Sequence, residues 1–148
     1  MTDTCYGMRP RSAGALDLRR IDCHVHYVPP SLGQQLNAGI AGQSPFMRIV
    51  YERPGWQDLG VLRDILDATG VDLGLIIPNA STLPESGSGA AHEFCEAYNR
   101  ALSQDLAAAE DRFLGTAIVD PFGGKESIAQ LERSLGLPNI AGIGLITN

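Results

Sequence analysis

A parallel α/β architecture with the order βαβαβαβ is the expectation for this chain, and three features of the sequence carry it. Four short segments are apolar on both faces, as strands are in a sheet covered by helices. Three segments between them repeat apolar residues at helical spacing. Gly and Pro mark the ends of several of these segments. Two architectures fit, an open doubly wound sheet or part of a (β/α)8 barrel, and pattern alone does not choose between them.

The first strand is Ile21-Asp22-Cys23-His24-Val25-His26-Tyr27-Val28, an alternating run stopped by Pro29-Pro30. Residues 1–18, which include Arg9-Pro10-Arg11-Ser12-Ala13-Gly14, read as a flexible leader to a domain spanning 19–148. Ser31 to Gly55 is long and irregular, and loops of that length in compact domains tend to be functional. Asp58 stands where a helix needs an N-cap. Leu59, Leu62, Ile65 and Leu66 then share one face, and Gly70 occupies the C-terminal stop.

Val71 to Pro78 is the second strand. The second helix carries the stripe Ala91, Phe94, Cys95, Tyr98, Ala101, Leu102 and Leu106. Phe113 to Val119 is the third strand, ending at Asp120-Pro121. The third helix presents Ile128, Leu131 and Leu135 and closes at Gly136. Ala141 to Ile146 is the fourth strand.

Composition narrows the function classes. A chain of 148 residues, 44% hydrophobic and 19% charged, suits one soluble domain. With 11 Lys+Arg against 17 Asp+Glu, its net charge of -6 offers no basic face for nucleic acid. No apolar run reaches the ~20 residues that span a bilayer, and residues 1–20 lack the apolar core of a signal peptide. The three cysteines have no CxxC spacing, which fits a reducing compartment, so a cytoplasmic protein is expected.

His24-Val25-His26 is the most informative triplet. Residues i and i+2 of a strand point to one face, so both imidazoles can converge on an ion beyond the strand's end, with Asp22 one step back on that face. The pair lies just before Pro29-Pro30, at the C-terminal strand end where parallel α/β proteins place their sites. Neutral imidazole is a preferred ligand for Zn²⁺ and other divalent first-row ions. Spacing of this kind also arises by chance. What tips the balance to a metal site is the strand-end placement, the parallel pattern, and the scarcity of His elsewhere, where His92 stands alone.

Asp22-x-His24-x-His26-x-x-Pro29 resembles the opening of the amidohydrolase superfamily, in the branch of aminocarboxymuconate semialdehyde decarboxylase and related aromatic-acid decarboxylases and hydratases. The passage Ile65-Leu66-Asp67-Ala68-Thr69-Gly70-Val71-Asp72 is similar to that branch's approach to its second strand. So are Tyr98-Asn99-Arg100 with Asp111-Arg112-Phe113-Leu114-Gly115, and Leu131-Glu132-Arg133 with Gly142-Ile143-Gly144-Leu145. The resemblance covers residues 21–148.

The resemblance implies a metal-dependent (β/α)8 barrel with His24 and His26 as metal ligands, most naturally of zinc. The remaining ligands and the acid/base group, a His from a middle strand and an Asp from the last, have no matching positions here. It further implies a carboxy-lyase, or a hydrolase, acting on a small carboxylated unsaturated or aromatic compound. Arg48 is the best match to a loop arginine that contacts the substrate carboxylate, and Arg53 is a weaker one. A barrel needs about 250 residues and eight strands. With four strands, the chain is expected to be the N-terminal half, cut short, and inactive by itself.

The competing expectation is a non-catalytic remnant or partner-dependent half-barrel, including a homodimer joined through bare strand edges. A third is a complete doubly wound domain that binds an anion. Among the remaining residues, His92 is expected to face solvent, Cys23 to pack under a helix, and Cys95 to join the core. Trp56 is read as a packing anchor more than a substrate wall. Asp120 and Asn79, at strand ends, are read first as turn residues.

Overall fold

The computed structural model describes residues 20–33, 53–79, 87–109 and 112–145. The elements run β1 (Ile21–Val25), α1 (Leu59–Thr69), β2 (Leu73–Ile76), α2 (Gly89–Ala107), β3 (Phe113–Ile118), α3 (Gly124–Leu135) and β4 (Ile140–Gly144). Single 3-10 turns occupy Pro30–Leu32 and Pro54–Trp56. The leader and Arg48 lie outside the described residues.

The four strands form one sheet in the order β1-β2-β3-β4, every pair parallel. A doubly wound sheet reverses its strand order at a switch point, and this one does not. Successive right-handed crossovers in one direction put every helix on the same side. That is the layout of half a (β/α)8 barrel, and it excludes the doubly wound alternative.

Local chemistry sets the helix ends. The Asp58 carboxylate accepts from the backbone N–H of Gly60 (2.8 Å) and Val61 (3.3 Å), capping α1. Gly70 closes it in the left-handed region at φ 69°, where a side chain would be strained. Ser88 caps α2 by accepting from Ala91 N–H at 3.1 Å.

The core forms where α2 lies on the middle strands. Phe94, Cys95, Tyr98, Leu102 and Leu106 pack with Val25, Ile76, Phe113, Ala117 and Ile118, as the α2 stripe predicts. A Cβ on Gly115 would come 2.8 Å from Leu102 Cδ2 and 2.9 Å from Leu106 Cδ1, so α2 rests directly on the β3 backbone. Buried Asn99 adds a polar bond: its Nδ2 donates to Ile118 O (2.9 Å) and Ser134 Oγ (2.9 Å), while its Oδ1 accepts from Ile118 N–H (2.8 Å).

Several expectations require correction. Of the α3 stripe only Leu131 packs against the core; Ile128 is 60% and Leu135 42% exposed, while Ser127, Gln130 and Ser134 are buried. Polar partners turn the helix this way: Ser134 meets Asn99, and Gln130 Nε2 donates to the His92 carbonyl at 2.8 Å. Ile65, expected in the α1 core face, is 49% exposed. Cys23 does not pack under a helix; it is exposed on the edge strand β1, with no described element covering it. The strands are also shorter than expected, and β1 ends at Val25. No described helix is long and apolar enough to cross a membrane.

Candidate metal centre

The two histidines meet at the C-terminal end of β1. His24 Nε2 and His26 Nε2 are 3.2 Å apart, and the rings stand edge to face with centroids separated by 4.8 Å. Two nitrogens each ~2.1 Å from one ion lie this far apart when the angle between them is about 100°. The pair is therefore spaced as neighbouring ligands of a single cation.

The β1 backbone helps to aim them. Asp22 pairs with Gly74 and Val25 with Ile76, so three steps of β1 oppose two of β2. The extra residue falls at Cys23-His24, and a bulge at a strand end re-aims side chains towards a site. The Asp22 carboxylate accepts from His24 N–H at 2.9 Å and so tightens the bulge.

Main chain fixes the state of His26. Its Nδ1 lies 3.1 Å from the Ile77 carbonyl, and a carbonyl only accepts, so Nδ1 carries the proton and Nε2 offers a lone pair. Ile77 N–H donates in turn to Val25 O at 2.9 Å. One residue at the end of β2 thus holds both the strand and the ring. With the His26 proton on Nδ1, the 3.2 Å contact pairs His24 Nε2–H with the His26 Nε2 lone pair, and an ion between the rings requires the Nδ1–H tautomer of His24.

The chain beyond β1 is pinned residue by residue. Tyr27 Oη donates to Asp105 Oδ2 (2.8 Å), and Tyr98 Oη donates to Tyr27 O (3.0 Å). Burial first, and then the Asp105 carboxylate, raise the Tyr27 phenol above its ordinary range. Val28 N–H donates to Trp56 O at 2.7 Å, which brings the turn before α1 against the histidines.

A cavity of about 350 Å³ opens at this end, lined by Asp22, His24, His26 and Arg53 on its polar side and by Trp56, Leu62 and Ile65 among its apolar residues. Arg53 therefore does reach the site. Trp56 is more than a packing anchor, since its ring lies 5.1 Å from His26. Among the described residues, no set of three or more His, Cys, Asp or Glu is placed to hold a metal.

The other candidates have structural roles. Asp120 is buried and accepts from Gly87 N–H (2.7 Å) and Phe122 N–H (3.0 Å), which stabilises the turn after β3. Cys95 is buried, as expected; burial first, then Asp120, push its thiol up to about 12. His92 is half-buried, and Asn79 sits half-buried past the end of β2. The Ile77 carbonyl was invisible to sequence reasoning, because a backbone acceptor leaves no mark on residue type.

No family model and no curated protein matches this chain. Solved structures do match in fold. A 5-carboxyvanillate decarboxylase from Novosphingobium aromaticivorans, complexed with manganese and a nitrobenzoic acid, superposes with TM-score 0.67 and 19% identity, covering 93% of this chain and 44% of its own. A dihydroxybenzoic acid decarboxylase from Polaromonas with bound manganese and an inhibitor gives TM-score 0.65 and 20% identity, covering 84% and 37%. The 2,6-dihydroxybenzoate decarboxylase from Rhizobium gives 0.63 and 19%, covering 84% and 37%. The chain thus spans about two fifths of the length of these structures. The likeness is one of fold, that of the matching part of these structures.

Proposed function

We propose that this chain supplies the first-strand ligands of a metal-dependent decarboxylase acting on small aromatic carboxylates, with a hydrolase of the same amidohydrolase type as the nearest variant. The convergence of His24 and His26 Nε2 at 3.2 Å carries this reading. The decarboxylase neighbours support it, and the manganese in two of them makes manganese the ion to test beside the expected zinc.

His24 and His26 would hold the ion, which when bound would polarise a substrate oxygen or carboxylate. The remaining steps belong to the chain's own residues. Arg53, at the cavity rim, has the two-pronged donor geometry that suits a carboxylate. Trp56, Leu62 and Ile65 give a flat ring an apolar wall that excludes water from one side. Arg48, the better match by resemblance, lies outside the described residues and is the other candidate for the carboxylate. The free thiols of Cys23 and Cys95 fit the cytoplasmic location that forms part of this reading.

Calorimetric titration of the 148-residue chain with Mn²⁺ and Zn²⁺ tests the site. The expected result is binding of one ion, weakened by more than ~100-fold in His24→Ala and in His26→Ala. Unchanged binding in both variants overturns the assignment. The two ligands among the described residues fall short of the three usual in a catalytic site, so the chain alone is expected not to turn over 2,6-dihydroxybenzoate. Measurable metal-dependent release of CO2 overturns that.

A partner-dependent half-barrel is the second reading, favoured by sheet edges that no described strand pairs. Ile21 and Ile65 are exposed at the β1 side, and Ile128, Leu135, Ile143 and Leu145 at the β4 side. Light scattering across a concentration series decides: a discrete dimer supports it, and a monodisperse monomer counts against it.

A further inference from the structure

We infer that Trp56 is a positioning residue for the metal pair: its indole face holds the His26 ring with Nε2 turned towards His24. The inference rests on the metal reading above but concerns a residue that the reading treats only as cavity wall.

The Ile77 carbonyl meets His26 at Nδ1 and His24 meets it at Nε2. Both contacts are made at the ring edge, and neither covers a ring face. Trp56 supplies that restraint. Its ring lies 5.1 Å from the imidazole at an interplanar angle of 30°, a tilted stack that defines the plane of His26. His24 meets the same imidazole at 80°, so the plane set by Trp56 decides whether the two Nε2 atoms converge.

The indole is itself well placed for this task. Trp56 O accepts from Val28 N–H at 2.7 Å, and Trp56 N–H donates to Arg53 O at 2.9 Å. The turn carrying the indole is therefore paired to the backbone only two residues beyond His26. The apolar residues Leu62 and Ile65 share the same cavity. The turn thus links the two polar functions proposed for the site, the imidazole that binds the ion and the guanidinium that binds the carboxylate.

Nitrogen NMR of the imidazoles in the metal-free chain tests the inference, with Trp56→Phe and Trp56→Leu as the informative pair. The wild type and Trp56→Phe should show His26 as a single Nδ1–H tautomer. Trp56→Leu, which keeps an apolar side chain but no flat face, should show exchange between both tautomers. Its Mn²⁺ affinity should fall about tenfold, with Trp56→Phe restoring most of it. A single tautomer and wild-type affinity in Trp56→Leu would overturn the inference. If the wild type binds no Mn²⁺, the metal reading fails, while the tautomer comparison still decides the role of Trp56.

Discussion

The middle of this sheet and its rim are built by different rules. At β2 and β3 each buried face meets a partner: α2 lies on Gly115, Asn99 ties β3 to α3, and Ile76 and Ala117 are fully buried. At β1, by contrast, Ile21, Asp22, Cys23 and His24 are all exposed, and only Val25 is buried. The proposed metal ligands sit on the less protected strand. Stability and chemistry are thus spatially separate: His26 is held by its bond to the Ile77 carbonyl and its ring contact with Trp56, and His24 by Asp22 and His26.

Thiol chemistry gives the largest contrast between the two regions. Cys23 is exposed, whereas Cys95 is fully buried with its thiol pushed up to about 12. Peptide-mapped alkylation should modify Cys23 at least ~10³-fold faster than Cys95, because Cys95 reacts only through opening of the core. Comparable rates would mean that the middle of the sheet is no better protected than its edge. Next in size is Asn99→Ala, which strips partners from the Ile118 backbone and from Ser134 and should cost about 3 kcal/mol in denaturant unfolding. The smallest effect is expected at the rim, where Ile128→Gln should change stability by no more than ~0.5 kcal/mol. A large loss there would show that the outer face of α3 is covered in solution.

Much of this architecture was legible in the sequence because it depends on side-chain type. Asp58 and Gly70 mark α1 by their capping chemistry, and the α2 stripe names the core almost residue for residue. The His24-Val25-His26 spacing located the candidate site. The α3 face is only partly legible: Ile128, Leu131 and Leu135 supply a helical period, but Leu131 alone packs inside and the rest of the inner face is polar. Ser134 and Gln130 are buried there because Asn99 and the His92 carbonyl receive them, and those partners come from another helix. Cys23 was misplaced for a related reason. Alternation assigns it a face, but only the strand order reveals that β1 is an edge.

The Ile77 carbonyl has a consequence for how this protein can vary. Because a peptide oxygen orients the imidazole, replacing the side chain at position 77 leaves the contact available. Drift at that position can therefore proceed without disarming the site. Damage would come instead from anything that slides the tip of the second strand, and such lesions could lie well away from either histidine.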